Sequence, residues 1–342
     1  MNIRPRYFIE TKDGLFFAVN SYHHTPEHII SFLRYIPCNK GNRTINNQLY
    51  CKVNSTEAYK YLIKKYPNYL FEGNIKGKKS MGVPIEYIKK VYNPIEILKN
   101  ILNEENSNNL HEKIKLLAKC FHDKVGIDYD HMGITGSCIL GLDTPESDID
   151  FIIFGLDNHK CAREFFGRVK NDPNYILNSV SDDYWLKVYN KRIFDDILSF
   201  DEFKWYENRK NNRGLIKGTL FDILSTMNYE EINQDLSNLS SVPVEKIIIK
   251  CQIKDDSQSY DTPSIYLIEN VEILEGTNAN IERIICYTHT YAGEVKNNEW
   301  VIASGVLEKV YDKQGKLVEH TLIIGTTREA KNEYIKLEKI KL

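Results

Sequence analysis

The stretch that decides the fold is Met132–Gly155, MGITGSCILGLDTPESDIDFIIFG. Its first residues, Met132–Ile134, are short and apolar, which predicts a buried strand, and Gly136-Ser137 then breaks that strand and opens a helical turn. From Asp148 the sequence alternates and then becomes continuously apolar, which predicts a central strand covered on both faces. Side chains two apart on a strand share a face, so we expect Asp148 and Asp150 to point together.

Two carboxylates at this spacing suit one kind of chemistry. Mg²⁺ usually binds through one or two carboxylates plus substrate phosphates. Gly136 allows close approach of the backbone, the free amides of a helix start attract phosphate oxygens, and Ser137 adds a hydroxyl. The pattern therefore predicts a site for a metal-bound triphosphate. The structural alternative is a solvated Asp-x-Asp turn beside an ordinary loop, but the combined strand, turn and acidic strand favour the catalytic interpretation.

The same stretch resembles the signature of the nucleotidyltransferase superfamily typified by DNA polymerase beta, in which a Gly-Ser turn precedes an Asp-x-Asp strand. Residues 136–141 match the turn, and residues 145–150 match the approach to the metal strand. Many relatives carry a basic residue just before the second glycine, where this chain has Leu140. More loosely, the segments RYFIETKDGLFFAV, HTPEHIISFLRYIP and YTHTYAG resemble a group of archaeal predicted nucleotidyltransferases.

This resemblance implies an activity. A nucleoside monophosphate would pass from an NTP such as ATP to an acceptor hydroxyl, with release of pyrophosphate. Asp148 and Asp150 would bind Mg²⁺ or Mn²⁺, and Gly136 and Ser137 would hold the β- and γ-phosphates. The runner-up hypothesis is a catalytically inactive module that keeps the fold and binds a nucleotide or a nucleic acid.

The resemblance also implies a third carboxylate on a later strand beside the Asp-x-Asp strand. Asp222 is the downstream acid embedded in an apolar strand run, LFDIL. Left buried and alone it would be costly, so a metal or a basic partner should compensate it. Asp183 and Asp196 are the alternatives, although their positions at helix starts already explain them.

The whole chain sets broader limits. Its 342 residues predict two or three domains, and 42% hydrophobic with 27% charged residues is typical of a globular protein in water. A net charge of -2 indicates no general attraction to nucleic acid or membranes. The seven cysteines include no C-x-x-C pair, which argues against a zinc site or disulfide framework. With no signal peptide or membrane-length apolar run, we expect a cytoplasmic protein without a membrane partner.

We therefore predict an α+β protein of three domains. Residues 1–105 form an N-terminal α+β domain, with a hairpin around Lys12-Asp-Gly14 and a helix that begins at Thr25. Residues 106–240 form the nucleotidyltransferase domain, a mixed sheet with helices. Residues 241–342 are β-rich and suggest a small β-barrel or sandwich.

The acceptor is left open among an RNA 3′ hydroxyl, a protein hydroxyl and a small molecule. A basic and aromatic segment, Lys204–Arg213, precedes the strand of Asp222. If the acceptor is RNA, we expect Arg209, Lys210 and Arg213 to contact its phosphates. The alternative is an ordinary solvated helix face.

Overall fold

In the computed structural model, the described residues are 2–73, 79–232, 239–327 and 330–340. They divide into two compact units. Unit 1 comprises residues 2–73, 79–179 and 212–232, and unit 2 comprises residues 180–211, 239–327 and 330–340. Residues from the expected N-terminal and nucleotidyltransferase domains thus share unit 1. Three sheets and six α-helices within these described residues make the protein α+β, as predicted. Among the described residues, no helix has both the length and the apolar character needed to cross a bilayer.

The first sheet of unit 1 is built from eight short strands near the N-terminus. They are β1 (Phe8–Thr11), β2 (Phe16–Val19), β3 (His28–Pro37), β4 (Arg43–Ile45), β5 (Gln48–Lys52), β6 (Leu70–Glu72), β7 (Lys79–Pro84) and β8 (Ile88–Tyr92). The main order is β4-β5-β3-β2-β1-β8, and β7 pairs with both β3 and β6. Helix α1 (Ser55–Lys65) follows β5. The predicted Asp-Gly hairpin is confirmed, because β1 and β2 pair antiparallel across it.

The predicted helix after Thr25 is wrong, because these residues form strand β3. Burial alternates along the strand: Ile29, Ser31, Leu33 and Tyr35 are buried, and the residues between them are partly exposed. A run of mixed apolar residues also fits helical spacing. As a strand, this segment forms backbone hydrogen bonds with β2, β5 and β7 and buries one of its faces in the core. These interactions favour the strand over the helix.

A disulfide joins Cys38 to Cys51 in the first sheet. The cysteine spacing argued against a disulfide framework, so this single bond departs from that expectation. The two residues are brought together because β3 and β5 pair antiparallel just beside them. The other five cysteines are free thiols.

The second sheet of unit 1 carries the quoted stretch. Its elements are α2 (Pro94–Leu102), α3 (Asn109–Val125), β9 (Met132–Ile134), β10 (Ile149–Phe154), α4 (Leu156–Val169), β11 (Leu177–Asn178), β12 (Arg213–Ile216) and β13 (Thr219–Thr226). The strand order is β11-β12-β13-β10-β9. Strands β10 and β13 are parallel and the other pairs are antiparallel, so the sheet is mixed as predicted.

The two faces of this sheet are covered by different parts of unit 1. Ile149, Phe151 and Ile153 of β10 share a core cluster with residues of α3 and α4. Ile152 and Phe154, on the opposite face, share a cluster with apolar residues of the first sheet. Asp150 has the same parity as Ile152, so its side chain belongs to the face that the first sheet covers.

Unit 2 contains two helices and a barrel. They are α5 (Asp182–Arg192), α6 (Phe200–Lys210), β14 (Ser240–Asp255), β15 (Ser264–Glu275), β16 (Ile281–Cys286), β17 (Trp300–Tyr311), β18 (Leu317–Ile324) and β19 (Tyr334–Leu337). The strand order is β14-β15-β16-β18-β17-β19, and β14 also pairs with β17, which closes five strands into a ring. Of the two predicted alternatives, the barrel is therefore formed. Leu198 and Tyr206 belong to its core cluster.

Candidate active site

Asp150 and Asp222 lie side by side on neighbouring strands. In the parallel pair of β10 and β13, their Cα atoms are direct register partners. Adjacent strands are about 4.8 Å apart, and side chains of register partners leave the same face of the sheet. The predicted proximity of the downstream carboxylate to the Asp-x-Asp strand is thus present, and it comes from the register of two strands that are 65 residues or more apart in sequence.

Gly136 lies directly against the carboxylate of Asp150. Its φ is +71°, and a Cβ placed on it would overlap Oδ2 of Asp150 and lie 2.9 Å from Cγ. The preceding residue ties the same two segments together, because the Thr135 amide donates to the Asp150 carbonyl oxygen at 3.0 Å. Only glycine satisfies both the left-handed backbone and this close approach.

Ser137 is tied to the loop that leads into β10. Its hydroxyl lies 3.4 Å from the hydroxyl of Ser147, which in turn accepts from the Thr144 amide at 2.9 Å. Both serines are buried. The carbonyl oxygen of Ser137 accepts from the Leu140 amide at 3.2 Å, which forms a short 3₁₀ turn over Cys138–Leu140, and it also accepts from the Leu142 amide at 3.0 Å. Asp148, next to Ser147, is exposed at the entrance to β10.

Carboxylates of like charge lie close together at this site. The pKa of Asp150 is raised to about 6: burial raises it most, the carboxylates of Asp222 and Asp148 also raise it, and Arg6 and Lys52 partly offset them. The carboxylate is half-buried and has a like charge beside it, which disfavours the ionised form. A cation bound at Asp150 would relieve this cost.

Asp222 already has a cationic partner. Arg213, its register partner on β12, donates from Nη2 to Oδ2 at 2.7 Å and from Nε to Oδ1. Both side chains are largely buried. The expectation that a buried Asp222 needs a basic partner or a metal is met by the basic partner. Arg213 was predicted to contact an acceptor phosphate, and the structure places it instead on the candidate third carboxylate.

The carboxylate oxygens of this site suit a hard divalent cation, but they do not supply a full set of metal ligands. Across residues 2–73, 79–232, 239–327 and 330–340, no three His, Cys, Asp or Glu side chains are arranged to hold a metal ion by themselves. Asp148, Asp150 and Asp222 therefore form no complete cage. Mg²⁺ bound through one or two carboxylates and substrate phosphates needs none. Asp148 and Asp150 fit that smaller requirement, and Arg213 would have to release Asp222 for a third ligand.

The remaining predicted acceptor residues lie in unit 2, in ion pairs. Arg209 Nη2 contacts Glu299 Oε1 at 2.6 Å. Lys210 is buried, with its Nζ 2.6 Å from Glu207 Oε1 and 2.8 Å from Glu294 Oε2. A phosphate has no access to a lysine buried in this way, so we do not propose Lys210 as an acceptor-binding residue.

Of the two alternative acids, Asp183 lies in the first turn of α5, where the helix dipole accounts for it as expected. Asp196 lies between α5 and α6. Arg6 and Lys52 lower the pKa of Asp150, and sequence reasoning did not identify either residue. They lie in strands and turns of the first sheet, far from the motif, and no local pattern distinguishes them from other surface cations.

Fold and site together define an α+β protein in which a glycine turn and paired carboxylates meet on one face of a mixed five-stranded sheet. The uncharacterized protein MJ1086 of Methanocaldococcus jannaschii is 38% identical over 349 residues, which cover 99% of this chain and 100% of that protein. The chain therefore belongs to the same protein family as MJ1086. No family model and no solved structure matches it.

Proposed function

We propose that the protein is a metal-dependent nucleotidyltransferase. The observation that carries the proposal is the meeting of Gly136, Asp150 and Asp222: a glycine turn in contact with one carboxylate, which is the register partner of the second. A phosphate-binding turn and adjacent acids on one sheet face are the parts that phosphoryl transfer requires, because its catalysis is positioning and charge stabilisation.

Each residue then has a defined task. The backbone of Gly136 and the hydroxyl of Ser137 bind phosphate oxygens of the NTP. Asp148 and Asp150 would hold Mg²⁺ or Mn²⁺, which would supply Lewis-acid stabilisation of the charge that develops during transfer. The acceptor hydroxyl oxygen bonds to the α-phosphorus, the bond from that phosphorus to pyrophosphate breaks, and pyrophosphate leaves. Asp222 orients the acceptor hydroxyl and accepts its proton once Arg213 moves aside.

The test is incubation of the purified protein with each α-labelled NTP and Mg²⁺ or Mn²⁺, against RNA, protein and small-molecule acceptors. Transfer of label with stoichiometric pyrophosphate release, lost in Asp150→Asn, supports the proposal. Labelled product formed equally by Asp150→Asn would overturn the assigned site.

A second candidate is a nucleotide- or nucleic-acid-binding module without catalysis. The two-pronged contact of Arg213 with Asp222 favours it, since a permanently occupied Asp222 offers no proton acceptor. NTP binding by the wild-type protein in the absence of any transfer or pyrophosphate release, over all four nucleotides and both metals, would decide for this candidate.

RNA remains our proposed acceptor class. The support is analogy of fold: five-stranded Greek-key barrels of the OB type bind oligonucleotides, and unit 2 contains a closed five-stranded barrel. Salt-sensitive binding to single-stranded RNA is the expected result. Its absence at low ionic strength would favour a protein or small-molecule acceptor.

A further inference from the structure

The face of the second sheet that carries Asp150 and Asp222 is covered by the first sheet. Ile152 and Phe154 of β10 pack with Ile9, Phe17 and other apolar residues of the first sheet. The turn after β9 also contacts the first sheet, since Ile139, Leu140 and Leu142 cluster with aromatic residues on the other face of that sheet. Residues of the first sheet therefore form a wall that packs against both segments of the site.

Arg6 is held in this wall by its backbone. It has a φ of +77°, its amide donates to the Val19 carbonyl oxygen at 3.0 Å, and its own carbonyl oxygen accepts from the Thr135 hydroxyl at 2.7 Å. Thr135 also donates its amide to Asp150. One residue, immediately before Gly136, thus fixes both Arg6 and Asp150.

Lys52 is positioned by the pairing of β5 with β3. Its register partner is Tyr35, whose buried ring belongs to the cluster that contains Leu140. The Lys52 side chain itself is exposed. Arg43, on the neighbouring β4, donates to the carbonyl oxygen of Leu142 and so secures the end of the turn against this sheet. Lys52 and Arg6 both lower the pKa of Asp150, which is the electrostatic sign of cations near that carboxylate.

A triphosphate placed at Gly136 would meet two carboxylates, so it needs more positive charge than one divalent cation provides. Leu140, which follows Ser137 in this turn, is buried and apolar and supplies no charge. The missing charge has to come from another part of the chain.

We propose that Arg6 and Lys52 form a polyphosphate-binding site that contacts the β- and γ-phosphates of the nucleotide. The inference rests on the proposed function, because that function makes a nucleotide the expected ligand. The part of the ligand that these two residues recognise is the polyphosphate chain alone. Arg6 contributes a planar, multiply donating group, and Lys52 contributes a point charge on an exposed side chain.

The experiment uses the full chain and calorimetry with three probes in Mg²⁺: ATP, AMP and inorganic tripolyphosphate. The variants are Lys52→Ala, Arg6→Ala and Arg6→Lys, and Lys60→Ala is the control because Lys60 is also exposed but lies on α1. We expect affinity for ATP and tripolyphosphate to fall about 5-fold in Lys52→Ala and at least about 10-fold in Arg6→Ala, as for lost charge-assisted hydrogen bonds. AMP binding should change little, and Lys60→Ala should match the wild type.

Thermal unfolding accompanies each titration, and Lys52→Ala, changed at an exposed side chain, keeps the test valid if Arg6→Ala fails to fold. The inference is overturned if Lys52→Ala and either Arg6 variant, Arg6→Lys or Arg6→Ala, both bind ATP with wild-type affinity. That result would leave the nucleotidyltransferase proposal intact. Binding of tripolyphosphate but not of any NTP, lost in the variants, would support the polyphosphate site and overturn the proposed function. No binding of either probe by the wild type would overturn both.

Discussion

Asp150 and Asp222 are direct register partners on the parallel strands β10 and β13, so two carboxylates leave the same face of one sheet side by side. Burial and this neighbour hold the pKa of Asp150 at about 6. Such an arrangement is unfavourable for the folded state alone, because both acids prefer to be ionised in water at neutral pH. Substitutions at this site that stabilise the ligand-free protein should therefore weaken its affinity for a cation.

The first prediction concerns Asp150→Asn. Without metal the variant should be more stable than the wild type at pH 7, by up to about 3 kcal/mol, since raising the pKa of Asp150 from 3.8 to about 6 corresponds to that free energy before screening by solvent. Transfer activity should be lost. Thermal or denaturant unfolding and the labelled-NTP assay measure the two effects.

Asp148→Asn is the matched control, because Asp148 is exposed. It should also lose activity but gain little stability. A fully active Asp150→Asn protein would contradict the metal role, and an Asp150→Asn protein less stable than Asp148→Asn would contradict the electrostatic argument.

The second prediction concerns pH. The folded-state pKa of Asp150, about 6, lies above its usual 3.8, so the folded state binds the proton more tightly. The metal-free protein should lose the stability linked to Asp150 as pH rises from about 4 to about 6, with no further change from this group above pH 6. A cation competes with that proton. The increase in Tm caused by Mg²⁺ or Mn²⁺ should be full above about pH 7 and fade below about pH 6, and a Tm increase independent of pH would count against binding at Asp150.

The third prediction compares two glycines that share a left-handed backbone. Gly136 and Gly141 have φ values of +71° and +67°, but a Cβ at Gly136 would overlap Asp150, whereas a Cβ at Gly141 would have no heavy atom within 4 Å. Gly141→Ala should cost about 1–2 kcal/mol of backbone strain. Gly136→Ala should cost about 2–5 kcal/mol and abolish nucleotide binding. Equal unfolding free energies and equal ATP affinities in the two variants would show that the turn does not contact the carboxylate.

The fourth prediction concerns the pairing of Arg213 with Asp222. Arg213→Ala leaves a largely buried carboxylate without its partner, so the protein should lose about 3 kcal/mol of stability in the absence of metal. Metal should restore part of that loss, giving a larger Mg²⁺-induced Tm increase than in the wild type. Arg213→Lys keeps the charge and loses the two-pronged geometry, and should cost about 1 kcal/mol. A metal effect unchanged by Arg213→Ala would place Asp222 outside the metal site.

The fifth prediction concerns unit 2. The pKa of Glu294 is raised to about 7, because its burial outweighs the lowering by Lys210. Glu207 and Glu294 in turn outweigh the burial of Lys210 and raise its pKa. The raised pKa of Glu294 means that stability should fall as pH rises from about 4.5 to about 7. The contribution of Lys210 is full below pH 10.5 and is lost above that.

Glu294→Gln should flatten the pH dependence of unfolding free energy between pH 5 and 7, while Glu207 keeps Lys210 paired. The readout is denaturant unfolding across this range. Unchanged slopes in wild type and variant would refute the assignment to Glu294.

The local elements of the site could be predicted from sequence. The apolar run after Asp148 and the Gly136-Ser137 break each act within a few residues, and the corresponding strands and turn are present. Asp222 was singled out because an acid within an apolar strand run needs compensation, which is a property of its own neighbourhood.

What the sequence alone determined is the set of local elements, since strand alternation, glycine turns and helix caps depend on neighbours in the chain. The tertiary structure decided everything that depends on pairing between distant strands. Strand β3 replaced the predicted helix because three partner strands satisfy its backbone, and Arg213 met Asp222 because β12 and β13 pair in one register. Arg6 came to the site because the first sheet covers the carboxylate face. These contacts are fixed by burial and hydrogen bonding across long separations, which no short stretch of sequence encodes.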